Sequence, residues 1–236
     1  PDVESDLAPY YYDWLDHPEY DDYWKRISIE ESHSEISVPA LNVGGWYDSF
    51  LGGTLRNFTQ MREVAATEEA RAGQRLIIGP WVHGSSPLGI SGQHNFGTRA
   101  AADAIDLHGL HLRFFDYWLR GEDRGVGDES PVRIFVMGEN VWRSEAEWPL
   151  ARTEYTNYYI HWNSGANSGY GDGVLSKDQP GDGPPDRYDY DPTNPVPTMG
   201  GPIMHAVYGG AQDRRPVEQR DDVLVYTSEP LERDLE

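Results

Sequence analysis

The spacing of apolar positions changes twice along this chain, and the changes divide it into three stretches. In the middle stretch, the short apolar run Val38-Pro39-Ala40-Leu41-Asn42-Val43 ends at Gly44-Gly45, which predicts a buried strand with a sharp exit. Phe50, Leu51, Thr54, Leu55, Phe58, Met61 and Ala65 then recur at three- and four-residue spacing, the mark of an amphipathic helix of about four turns. Arg75-Leu76-Ile77-Ile78 is a second buried strand, closed by Gly79-Pro80-Trp81-Val82-His83-Gly84. Strand, helix, strand at this spacing is a βαβ unit, and a βαβ unit implies a parallel sheet. Residues 99–120 predict one long helix, with Ala104, Leu107, Leu112, Phe115 and Leu119 near one stripe and a stop at Gly121.

The flanking stretches follow other rules. Residues 1–36 are crowded with aromatics and acids, among them Tyr10, Tyr11, Tyr12, Trp14, Tyr20, Tyr23 and Trp24, and read as a helical, partly buried segment with Pro18 as a helix-starting residue. The polar, glycine-rich run from Gly121 to Ser130 predicts a domain boundary. Beyond Pro131 the helical period disappears, leaving short β-like runs at Val132 to Met137, Tyr155 to Trp162 and Val223 to Thr227. Residues 164–202, dense in Gly, Pro and Asp, predict long surface loops. The expected fold class is therefore α/β followed by an all-β module.

Composition narrows the partners. The 236 residues carry 40 acids against 19 bases, a formal charge of -21, which repels a phosphate backbone or an anionic membrane surface and argues against both as partners. No run of about 18 apolar residues occurs and the first 30 residues lack a signal-peptide pattern. The expectation is a soluble chain, in the cytoplasm rather than secreted. Only Lys25 and Lys177 are lysines; an acidic, arginine-rich surface suits a salt-adapted protein, and high genomic GC content accounts for the arginines equally well. Zero cysteines excludes disulfides, thiolate nucleophiles and Cys-zinc sites.

Two side chains stand at the carboxyl ends of the predicted parallel strands, the edge where open α/β sheets place their sites. They are Asp48 and His83. An acid after one strand and a histidine after the next match the last two members of a Ser-Asp-His triad in the α/β-hydrolase order. Asp48 would accept the Nδ1 hydrogen of His83, and His83 would serve as base toward a serine and acid toward the leaving group. Two plainer readings stand beside this: Asp48 caps the helix that follows it, and His83 is a structural loop residue. Trp46, Tyr47 and Trp81 are candidates to line an acyl pocket, or else pack in the core.

The motifs themselves carry a resemblance. Gly44-Gly45-Trp46-Tyr47-Asp48, Gly79-Pro80-Trp81-Val82-His83, the helix end His111-Leu112-Arg113-Phe114-Phe115-Asp116-Tyr117-Trp118-Leu119, Pro131 to Gly138 and Asp222 to Ser228 closely resemble the CocE/NonD family of serine hydrolases, the cocaine esterases and X-prolyl dipeptidyl peptidases. The resemblance implies a hydrolase domain with a helical cap, followed by a jelly-roll β domain resembling galactose-binding modules. It implies that residues 1–36 end the cap, 37–130 form the C-terminal part of the hydrolase domain, and 131–236 begin an incomplete jelly roll. It also implies Asp48 and His83 as triad acid and base, and an ester, amide or peptide substrate cleaved through an acyl-enzyme with no cofactor. Relatives that recognise an α-ammonium group tend to place carboxylates beside the triad acid; Ser49, Phe50 and Leu51 follow Asp48 here, which favours a neutral or acyl-ester substrate over an N-terminal amine.

The nucleophile does not follow the pattern. In this layout the serine precedes the acid on a G-x-S-x-G elbow, and no such elbow occurs: Ser85 and Ser86 come after His83, and Gly165-Ala166-Asn167-Ser168-Gly169 has the wrong spacing. The chain reads as a fragment of a larger enzyme, inactive by itself. The competing reading is an accessory carbohydrate-binding or structural β module beside a non-functional hydrolase remnant, with homo-oligomer formation left open. His108 and His111, at i and i+3, lack a third ligand for zinc, and Asp172, Asp178, Asp182, Asp186, Asp189 and Asp191 lack EF-hand spacing for calcium, so no metal is expected.

Overall fold

The computed structural model describes residues 7–84, 88–161, 164–205 and 207–235. Its N-terminal stretch holds two short helices, α1 (Tyr10–Asp16) and α2 (Asp22–Lys25), and a 3-10 turn at Ile29–Glu35. Pro18 starts neither helix; α2 begins after Asp21, whose side chain accepts from the Tyr23 amide. Tyr10, Tyr11, Tyr12, Trp14 and Tyr20 are exposed, so this segment covers less than its aromatic content suggested. It is anchored at His33, a buried histidine whose Nδ1 and Nε2 lie 2.7 and 3.0 Å from the side-chain oxygens of Gln60 and Asn57.

The expected βαβ unit follows. It consists of β1 (Leu41–Tyr47), α3 (Leu51–Val64), the short α4 (Glu68–Ala72) and β2 (Arg75–Val82), with β1 and β2 parallel. A two-residue hairpin pair, β3 (Ile90–Ser91) and β4 (His94–Asn95), comes next. The long helix predicted over 99–120 is broken: 3-10 turns at Thr98–Ala100 and Ala102–Ile105 precede α5 (Leu107–Arg120). The break sits at Asp106, held at φ 49°, whose carboxylate caps α5 by accepting the Gly109 amide at 3.1 Å. Gly121, also left-handed, ends the helix as predicted.

The main difference from expectation lies just after this helix. Val132 to Met137 was expected to open the β module; instead β5 (Val132–Val136) pairs in parallel with β2, and β6 (Val141–Glu145) returns antiparallel beside it. The sheet order is β1-β2-β5-β6. Helical period disappears at Pro131 because the chain re-enters the same sheet. In the glycine-rich run before it, Val126 is buried and its carbonyl accepts from Arg75.

Core packing explains the alternation along the strands. Leu76 and Ile78 of β2 join Phe58, Val132 and Ile134 on the α3 face, while Ile77 and Trp81 join Ala102, Ile105 and Leu110 on the α5 face. Being covered on both sides, β2 reads as an unbroken apolar run, as inner parallel strands do.

Past Glu145 the chain is mostly loop. β7 (Tyr159–His161) and β8 (Val174–Ser176) form a small antiparallel pair, and α6 (Arg215–Glu218) is one turn of helix. Of the expected run Tyr155 to Trp162 only Tyr159–His161 is strand, and Trp162 lies outside the described residues. Val223 to Thr227 is likewise reduced to single-residue bridges, Asn167 with Leu224 and Val174 with Thr227. The acidic loop is tied down by hydrogen bonds: Asp186 accepts from the Ala166 amide and the Tyr226 hydroxyl, and Asp191 from the Thr193 amide.

Asp213 shows how this region titrates. Hydrogen bonds from the Arg215 side chain and amide hold its carboxyl at about 2, below the ordinary 3.8. A carboxylate depressed in the fold stabilises it above its unfolded pKa and loses that contribution as pH falls toward the folded value. The window here is pH 3.8 to about 2. Acidification through it should release the first turn of α6, read as the loss of the Arg215 amide's protection in a pH series of NMR spectra, while the β2 amides stay protected.

Candidate active site

Asp48 and His83 each follow the last residue of a strand by one position, Asp48 after Tyr47 and His83 after Val82, and Tyr47 and Val82 are register partners. Parallel pairing therefore delivers the two side chains to the same edge of the sheet. His83 Nδ1 lies 3.3 Å from each Asp48 carboxylate oxygen. The acid is sheltered, at 13% side-chain exposure, and the imidazole is open at 47%. This is the arrangement a dyad needs: a carboxylate held in place, and a ring whose Nε2 is left for a nucleophile. The separation is at the long end for a hydrogen bond.

The plainer reading of Asp48 holds at the same time. Its Oδ1 accepts the Phe50 amide at 2.9 Å and its backbone carbonyl accepts the Leu51 amide at 3.1 Å, so it forms the turn into α3. That turn fixes the side chain that faces His83.

Two glycines set the approach of the strands. The β1–β2 register slips between Gly45 and Tyr47, and a Cβ at Gly45 would overlap the Trp81 carbonyl. A Cβ at Gly79 would overlap the Trp81 indole, so Gly79 makes room for that ring.

The three aromatic candidates do not gather at the pair. Trp81 is a core residue, 2% exposed, with its indole N–H donated to the Ala100 carbonyl at 2.7 Å. Trp46 points to the α3 face, donates to the Phe135 carbonyl at 2.7 Å and packs on Trp148. Tyr47 points the other way, its ring 6.2 Å from that of Phe96, and burial pushes its phenol pKa up. An aromatic residue that does stand beside the pair is Phe50, read from sequence as a helix position and as one of the uncharged residues following Asp48. It is 55% exposed, and its ring stands edge-on to His83 at 5.3 Å. The signal was present: an apolar residue two positions after the candidate acid, at the helix start.

Ser85 and Ser86 lie outside the described residues. Ser168 is nearly buried and its hydroxyl accepts from the Tyr170 amide. His111 Nδ1 lies 2.8 Å from the Leu107 carbonyl, and among the described residues no group of three His, Asp or Glu side chains is placed to hold a metal. No described helix is long and apolar enough to cross a membrane.

Comparison with known proteins bears on this geometry. Residues 2–85 match the family model described as X-Pro dipeptidyl-peptidase (S15 family), and residues 124–236 match the model for the X-Pro dipeptidyl-peptidase C-terminal non-catalytic domain. Over these two stretches the chain resembles the CocE/X-Pro dipeptidyl-peptidase group. The cocaine esterase of a Rhodococcus species is 40% identical over 227 residues, which are 95% of this chain and 38% of that protein. A Mycobacterium bovis protein named as a serine esterase is 28% identical over 223 residues, 30% of its length. The chain thus spans about a third of the curated relatives it matches. The crystal structure of an aminopeptidase from a Thaumarchaeota archaeon of marine sediment superposes with a TM-score of 0.68 at 23% identity, covering 97% of this chain and 37% of that one, and shares the fold.

Proposed function

We propose that this chain supplies the acid and base of a serine hydrolase that cleaves an ester or amide through an acyl-enzyme. Asp48 orients and charges-balances His83; His83 takes the proton of a serine hydroxyl as it attacks the carbonyl, then returns it to the leaving group. The observation that carries the reading is the placement of Asp48 and His83 at register-matched ends of adjacent parallel strands, His83 Nδ1 at 3.3 Å from the carboxylate. The match of residues 2–85 to a peptidase family supports it. The serine and its oxyanion hole come from polypeptide outside these 236 residues, in line with the absent elbow and the third of the relatives' length covered here.

We place the hydrolase portion at 37–145, since β5 and β6 complete its sheet, and the jelly roll after Glu145, with β7, β8 and the single-residue bridges as its first part. Residues 7–36 close the cap. The substrate is a neutral acyl ester in preference to an N-terminal amine, because the group beside the dyad is the exposed Phe50 ring and not a second carboxylate.

A fluorophosphonate probe tests this. The long polypeptide carrying this sequence should gain one probe mass on a serine and lose labelling with His83→Ala, while the 236-residue chain alone stays unlabelled. A long polypeptide that remains unlabelled, with His83 intact, would overturn the reading.

A further inference from the structure

The strand end that carries His83 is held by the chain that follows it. Ser91, 1% exposed, donates its hydroxyl to the Pro80 carbonyl. The Trp81 indole reaches the Ala100 carbonyl, and Phe96, 4% exposed, lies against Tyr47, the register partner of Val82. The β3–β4 hairpin and the turns after it thus wrap the carboxyl end of β2.

The hairpin is itself gripped from outside, by residues 120 positions away. Gly92 and Ala211 form a parallel bridge; the Gln93 amide donates to the Ala211 carbonyl at 2.8 Å, the Ala211 amide to the Ser91 carbonyl at 3.3 Å, and the Asp213 amide to the Gln93 side-chain oxygen at 3.0 Å. The approach is backbone on backbone. A Cβ at Gly210 would stand 2.6 Å from the Gly92 nitrogen, and both glycines have positive φ, 79° and 63°. Gly210 is buried and fixed on its other side by two hydrogen bonds with Gly201. Residues that ordinary side chains could not replace have been placed where the C-terminal region meets the hairpin.

We infer that residues 209–213 act as a strap that positions His83, with Ser91 as the positioning residue that passes the constraint to the Pro80 carbonyl. This rests on the reading of His83 as the base. It gives the region matched by the non-catalytic domain model a part in the geometry of the site. Ser91 touches no reacting atom; it acts through the strand end.

The test observes His83 directly, by NMR of histidine-labelled protein. Two signals are followed: the downfield Nδ1 proton donated to Asp48, and the Cε1 proton, shifted by the ring current of Phe50. Asp48→Asn should abolish the first. Ser91→Ala should broaden or abolish the Nδ1 signal and move the Cε1 signal toward its position in Phe50→Ala, at a temperature where circular dichroism is unchanged. The milder Gln93→Ala, on an exposed side chain, should move the Cε1 signal in the same direction by a smaller amount. If Ser91→Ala and Gln93→Ala lower the melting temperature but leave both His83 signals in place, the strap is structural only and the proposal falls. If Asp48→Asn leaves the Nδ1 signal untouched, the dyad reading fails, and the Cε1 shift still decides whether the strap positions the ring.

Discussion

Asp48→Asn, introduced into the long polypeptide that carries this sequence, should lower kcat by about 10⁴-fold with KM little changed, the scale seen when a triad acid is made neutral. The asparagine keeps the shape of the turn, because its side-chain oxygen still accepts the Phe50 amide that Oδ1 accepts now. What is lost is the charge facing His83 Nδ1 and the selection of the tautomer that leaves Nε2 free to accept a proton. The variant separates the two roles that Asp48 fills. A purely capping residue would tolerate asparagine, one of the better caps, with no loss of rate. Steady-state kinetics on an activated ester decide it: a kcat within about threefold of the parent, about 0.7 kcal/mol, would be no more than one weak hydrogen bond contributes and would remove Asp48 from the mechanism.

Gly45→Ala should destabilise the fold by about 3 kcal/mol, the upper end for forcing atoms into a packed interior. Its Cβ would overlap the carbonyl of Trp81, and a backbone group of an inner strand cannot swing aside as a side-chain tip can. At this chain length the melting temperature should fall by about 6–12 °C. Gly53→Ala in α3 is the contrasting variant. Apart from its chain neighbours and the helix's own backbone, no described atom lies within 4 Å of a Cβ there, and an alanine in a helix interior should raise stability by up to about 1 kcal/mol. If thermal unfolding shows both alanines equally harmless, the close approach of β1 to Trp81 is not what sets the strand spacing.

The parts of the fold that were legible in the sequence are those governed by local period. β1, α3 and β2 were readable because apolar spacing distinguishes a strand buried on both faces from a helix buried on one. Asp48 and His83 were legible for the same reason, since each immediately follows such a strand. The role of β5 was not legible: a short, mostly apolar run looks the same whether it opens a new module or pairs with β2 across some fifty residues, and only tertiary contact tells them apart. Asp106 broke the predicted long helix because a single residue in the left-handed region ends the 3.6-residue period without altering composition. For Trp81 the sequence left pocket and core open, because a strand-end aromatic reads alike in either place; the ring is buried, with its indole N–H satisfied by the Ala100 carbonyl. The grip of Ala211 on Gly92 left no trace in the sequence beyond the glycines themselves.

The two halves of the dyad hang from supports of unequal stiffness. β2 has a hydrogen-bonded neighbour on each side and is buried along nearly its whole length, whereas β1 is paired only with β2 among the described residues and is half-exposed along much of its length. Fluctuations that open a sheet start where fewest contacts must break. On warming, the 236-residue chain by itself should therefore loosen at the carboxylate's support while the imidazole's is still rigid, seen as faster hydrogen exchange of the β1 amides than of the β2 amides.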